Sequence, residues 1–162
     1  MHFLSAYEHA IDAKNRLAIP AEVRSQISAT ASGGGDGWVA GPGPNSLLTL
    51  WPAQTFDDML APFSKDALID PEIAQWRTMM YRQSARLDVD SAGRIRLPER
   101  LLRMFRLSSN VVILGAGDSL ELIDAEVWKQ KEHVDPDVAT DLWRSAARAR
   151  KAAARTNDGA AK

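Results

Sequence analysis

Apolar and polar positions change rhythm several times along the chain, and the rhythm falls into two similar runs. EHAID (Glu8–Asp12) and RLAIP (Arg16–Pro20) alternate or cluster apolar residues over strand-length stretches. AEVRSQI then spaces its apolar residues at roughly helical period. WVAGPG and SLLTLW follow as two more strands around a turn at Pro44-Asn45, and AQTFDDMLAPF closes the run as a short helix. The second run repeats the order. RLDVD and RIRLP are strands, ERLLRMF is helical, VVILGAG and SLELID are strands around Gly117-Asp118, and AEVWKQKEHV is a short helix. Between the runs, PEIAQWRTMMYR sets Ile73, Trp76 and Met80 at helical spacing, predicting a helix that bridges them. The last stretch, DLWRSAARARKAAAR, is rich in Ala and Arg and predicts a helix, with TNDGAAK disordered after it.

The repetition extends to individual residues. DAKNRLAIP (Asp12–Pro20) and DSAGRIRLP (Asp90–Pro98) share Asp, Arg and Pro at the same places, 78 residues apart. Ile11, Leu17, Ile19, Val23 and Ile27 then meet Val89, Ile95, Leu97, Leu101 and Phe105. A second block matches at a spacing of 72, setting Leu48, Leu50, Trp51 and Phe56 on Leu120, Leu122, Ile123 and Trp128. The first copy is therefore longer between its blocks. The Gly-rich ATASGGGDG (Ala29–Gly37) accounts for the excess as a flexible loop. One copy, at about fifty residues, buries too little surface to be stable alone, so the two are expected to share one core.

Composition narrows the function. The 162 residues are 45% hydrophobic, enough for a core. No apolar run approaches the ~18 residues that cross a bilayer, and MHFLSAYEHAID lacks the pattern of a signal peptide. The chain is expected in the cytoplasm. It has no cysteine, which excludes disulfides, thiolate zinc sites and cysteine nucleophiles. His2, His9 and His133 lack metal-ligand spacing. Asp88 and Asp90 share a strand face, but Ala10 replaces Asp88 in the other copy, so a metal pair is not part of the repeated design. SGGGDG lacks the Lys-Ser/Thr of a phosphate-cradling loop. No metal, cofactor, small-molecule substrate or catalytic residue is expected. A small hydrolase built on Asp88 and Asp90 finds no nucleophile–base pair to support it. The net charge of −1 gives a lone monomer little attraction for nucleic acid, although Arg144, Arg148, Arg150, Lys151, Arg155 and Lys162 make the C-terminal stretch basic.

The doubled motif carries the candidate chemistry. Arg16 and Arg94 each begin a strand just after a turn and can extend from a hairpin tip. Arginine offers a planar fork that grips phosphate or the two acceptors of guanine. Lys14 adds charge at the first tip, and Arg96 lies on the same strand face as Arg94. Asn15 and Gly93 occupy the same turn position and both tolerate positive φ. Asp12 and Asp90 repel phosphate. They are assigned instead to shaping the hairpins, by accepting backbone N–H bonds and orienting the Arg four positions on. A solvated Asp–Arg salt bridge is the plain alternative.

These residues resemble the MraZ family of bacterial transcriptional regulators. The resemblance rests on two DxxxR hairpins each followed by Pro, the Trp51-Pro52 strand end, Gly115–Asp118, and Asp124 with Trp128. It covers Phe3 to Val134. Asn15 stands where the family usually has Gly, and GPGPNS replaces the commoner first turn. The resemblance implies a mostly-β α+β fold of two tandem AbrB-like swapped-hairpin units with short helices. The units are expected to close into one pseudo-twofold barrel-like domain with a C-terminal helix added. The expected parts are a first DNA-binding unit (1–60), a helical linker (61–83), a second unit (84–134) and a basic helical or disordered tail (135–162). The resemblance further implies a nucleoid-associated ring-shaped homo-oligomer. It would bind direct repeats in double-stranded promoter DNA of its own division and cell-wall gene cluster, through Arg16, Arg94, Lys14, Arg96 and Asn15. Many weak contacts on one particle would offset the weak charge of one chain. An alternative reading is an AbrB-type antitoxin-like module whose tail binds a protein partner.

Overall fold

A computed structural model of the chain describes residues 2–30, 37–66, 68–131 and 135–159. It forms two compact units, Met1–Trp128 and Lys129–Lys162. In chain order the first unit runs β1 (Ala6–Ala10), β2 (Arg16–Ala18), α1 (Ala21–Thr30), β3 (Trp38–Pro42), β4 (Leu48–Pro52), α2 (Ala53–Leu60) and α3 (Phe63–Asp66). It continues α4 (Pro71–Gln83), β5 (Ala85–Leu87), β6 (Arg94–Arg96), α5 (Glu99–Met104), β7 (Asn110–Gly115) and β8 (Leu120–Asp124), and it ends within α6 (Ala125–Lys131). The predicted alternation of strand pairs and short helices is the one observed in both halves.

Four of the six strand pairings cross the repeat, and β3–β4 and β7–β8 pair within their own halves. Six strands form an antiparallel sheet in the order β1-β7-β8-β4-β3-β5, and β2 pairs only with β6. Thus β1 joins the second half's strands and β5 joins the first half's. Exchanging the halves reverses the strand order onto itself, which is the mark of a pseudo-twofold axis. The axis passes between two residue pairs. Leu17 faces Ile95 at the centre of β2–β6, and Thr49 faces Glu121 at the centre of β4–β8.

The expected barrel closure is not found: the six-stranded sheet is open, with β1 and β5 as its edges. The reason lies in the hairpins. After Ile11 and after Val89 the chain makes a single bridge to Leu17 or Ile95 and then turns out of the sheet. The second arms therefore ladder with each other, and among the described residues no strand links the two sheet edges.

The central strands are buried on both faces, so they read as nearly unbroken apolar runs. On one face Trp38, Leu48, Leu50, Leu120 and Leu122 meet the inward residues of the ribbon, Leu17 and Ile95, with Ile19, Leu97, Val23 and Leu101. On the other face Val39 and Trp51 meet Ala53, Phe56 and Leu60 of α2 and Met80 of α4. The start of α4 is fixed by Asp70, whose carboxylate accepts from the N–H groups of Glu72 and Ile73, with Pro71 in the first turn. Trp76 packs on Phe63 at 4.8 Å between ring centroids. The second unit is mainly α7 (Pro136–Gly159), a helix that runs past the predicted start of the disordered end at Thr156. Most of the Gly-rich loop, His133 and the last three residues lie outside the described residues.

Leu17 and Ile95 are fully buried and face each other on the axis. Leu17→Ala and Ile95→Ala should each cost about 2–5 kcal/mol in urea denaturation at fixed protein concentration. The double variant should lose less than the sum, because the side chains touch the same space. Both halves should unfold in one transition; two separate transitions would count against a shared core.

Candidate nucleic-acid interface

Each DxxxR turn is closed by its own aspartate. Asp12 Oδ1 accepts from the backbone N–H groups of Lys14 and Arg16, both at 2.9 Å. Its Oδ2 accepts from Arg16 Nε at 2.7 Å. The backbone adds Asn15 N–H to Asp12 O at 2.8 Å and Asp12 N–H to Arg16 O at 3.0 Å. The second turn repeats every bond. Asp90 Oδ1 accepts from Ala92 and Arg94 N–H at 2.9 and 3.0 Å, and Oδ2 from Arg94 Nε at 2.9 Å. Asn15 has φ 59° and Gly93 φ 75°, the left-handed geometry such a turn requires.

The turns are also tied across the repeat. Leu97 N–H donates to Asn15 O at 2.8 Å, and Ile19 N–H to Gly93 O at 3.0 Å. Each hairpin tip is thus held by the strand that leaves the other tip. Between them Arg16 lies opposite Arg96, and Ala18 opposite Arg94. Leu17 and Ile95 point inward, so Arg16, Arg94 and Arg96 share the outer face of a two-stranded ribbon. Arg96 and Lys14 are exposed, whereas Arg16, Arg94 and Asn15 are half-buried. The arginines at the motif position are the braced ones: each keeps about a third of its side chain exposed while its Nε is held by aspartate. Such a guanidinium is pre-aimed and loses less freedom on gripping a ligand.

Gly93 is buried, which removes it from direct contact with a ligand. It is covered by Arg24 of α1, a residue that helical spacing alone does not single out. Arg24 Nε donates to Ile19 O at 3.2 Å, and a Cβ on Gly93 would stand 2.5 Å from Arg24 Nη1. The signal available in the sequence was a mismatch between the copies: Lys14 has Ala92 as its counterpart. Among the described residues there is no group of three or more His, Cys, Asp or Glu able to hold an ion. Among the same residues no helix is long and apolar enough to cross a membrane.

Both turn carboxylates are held below the ordinary aspartate range. For Asp12 the main cause is the Arg16 backbone N–H. For Asp90 it is the Arg94 side chain, followed by the Arg94 backbone N–H. In the unfolded chain both titrate near 3.9. Above that value the unfolded and folded states hold them ionised alike, and their stabilisation is complete. As pH falls below it the unfolded chain takes up protons first, so stability is lost until the lower folded pKa is passed. Carboxyl NMR titration should find both groups below the ordinary value, and Asp12→Asn and Asp90→Asn should each flatten the acid slope of stability.

Comparison with known proteins shows the family. The family model described as "MraZ protein, putative antitoxin-like" matches residues 2–75 and 80–142. The Transcriptional regulator MraZ of Mycoplasmoides gallisepticum is 31% identical over 140 residues, covering 86% of this chain and 94% of that protein. That of Caulobacter vibrioides is 31% identical over 160 residues, covering 98% of this chain and 99% of that protein. That of Herpetosiphon aurantiacus is 31% identical over 127 residues, with 78% and 84% covered. With both hairpins inside the matched residues, the chain belongs to the MraZ family.

Proposed function

We propose that this chain is a sequence-specific DNA-binding transcriptional regulator without catalytic chemistry. It would act on direct repeats in the promoter of its own division and cell-wall gene cluster. The observation that carries the reading is the ribbon face of Arg16, Arg94 and Arg96, backed by two aspartate-pinned turns. The major groove of B-DNA is about 12 Å wide and admits a two-stranded ribbon. There the guanidinium forks of Arg16 and Arg94 read guanine O6 and N7, while Lys14 and Arg96 meet phosphate. Asn15 contributes through its turn. A net charge of −1 per chain gives weak attraction from a single particle. A ring-shaped homo-oligomer presenting several ribbons to several repeats offsets this through effective concentration, in the cytoplasm and on the nucleoid.

A second reading keeps the DNA face and adds a protein partner, as in an antitoxin. It is favoured by α7, where Val138, Leu142 and Trp143 are exposed beside Arg144, Arg148, Arg150 and Lys151.

Fluorescence anisotropy on a duplex from just upstream of the gene separates the readings from a structural role. Wild type should prefer that duplex over a scrambled one. Arg16→Ala should cost about 1–3 kcal/mol, roughly five- to 150-fold, and lose the preference. Equal binding of both duplexes, unchanged by Arg16→Ala, would sink the hairpin mechanism.

A further inference from the structure

The two tips of the ribbon differ in charge when read along the chain. The first turn is Ala13-Lys14-Asn15 and the second is Ser91-Ala92-Gly93. Lys14 is exposed at the first tip; the second has a methyl group in its place. The helices that follow differ at one position in the opposite sense. Arg24 of α1 has Leu102 as its counterpart in α5, and Leu102 packs against the core. Because the hairpins are exchanged between halves, α1 does not serve its own tip. Arg24 bonds Ile19 O, and Ile19 N–H bonds Gly93 O, so the guanidinium is delivered onto the second turn.

Resting on the DNA-binding reading, we infer that Arg24 is the missing cation of the second tip, a phosphate-contacting residue supplied by the other half of the repeat. Each tip then carries two positive groups: Lys14 with Arg16, and Arg24 with Arg94. Gly93 fits this arrangement, since any side chain there would meet the guanidinium. At the matching position of α5, Leu102 packs against the core instead. The bland role for Arg24 is to wall the cleft of about 220 Å³ that it lines with Trp38, Ile27 and Val89. Charge separates the two roles.

The test uses the full chain and the upstream duplex over a salt series. Arg24→Leu copies the residue of the other half, keeping bulk and removing charge. One lost phosphate contact should lower the salt slope by about 0.9 per engaged chain. That corresponds to roughly fivefold weaker binding near 0.15 M salt, with own and scrambled duplexes affected alike. Arg24→Leu/Ala92→Lys returns the charge by the route the first tip uses, and should restore both slope and affinity at an unchanged melting temperature. If Arg24→Leu binds like wild type while Arg94→Ala weakens binding, Arg24 is only a wall and the inference is overturned. It is equally overturned if Arg24→Leu weakens binding but the added lysine restores nothing. If neither Arg94→Ala nor Arg24→Leu changes binding, the second tip makes no contact and the inference is overturned; if Arg16→Ala is silent as well and both duplexes bind alike, the DNA reading itself fails.

Discussion

Leu17 and Ile95 meet across a three-residue ladder, and the placement of every candidate contact residue depends on that meeting. A ribbon of three residues per strand is too short to persist alone. It persists because its inner face is part of the core, where both side chains are fully buried. The same ladder fixes the outer face. Register alternates faces, so a one-residue slip would turn the arginines inward and the core pair outward. The penalty for burying unpaired guanidinium groups excludes that alternative. Core packing and the basic face are therefore two readings of one register.

The outer face is electrostatically unfavourable by itself. Arg16 stands directly opposite Arg96, and like charges so placed destabilise a sheet by a few tenths to about 1 kcal/mol. Two features reduce the repulsion. Asp12 and Asp90 neutralise the arginines at the motif positions, and Ala18 leaves the place opposite Arg94 uncharged. A surface that keeps three arginines together despite this cost is consistent with a site built for an anionic ligand.

Much of this was legible in the sequence because duplication writes each feature twice. Asp, Arg and Pro at matched spacing located both turns, and Asn15 against Gly93 located the positive φ. The swap itself was legible only through the resemblance. No periodicity distinguishes a hairpin whose arms pair with each other from one whose second arms pair across the molecule, since both need Leu17 and Ile95 inward. The barrel closure was misjudged for a related reason. The resemblance implied a closed, barrel-like domain, but Ile11 and Val89 each make one bridge before the chain turns away. Arg24 stayed hidden because its partner, Gly93, is 69 residues away and has no side chain to suggest a contact.

The halves have also diverged where symmetry would be costly. Thr49 and Glu121 face each other on the axis, and both are nearly buried. In a true symmetric dimer the second half's residue would face itself, placing two carboxylates together in a site with little water. Here Glu121 faces a hydroxyl-bearing residue and accepts from Asn45 Nδ2, at 2.7 Å, from the turn between β3 and β4. That bond joins the first half to the second and has no counterpart on the other side of the axis. Asn45–Glu121 in the sheet, and Arg24–Gly93 at the ribbon, are both contacts that only a fused pair of unequal copies can make. Fusion therefore does more than raise the effective concentration of two halves. It lets each copy carry a residue, Asn45 or Arg24, whose partner need exist only in the other.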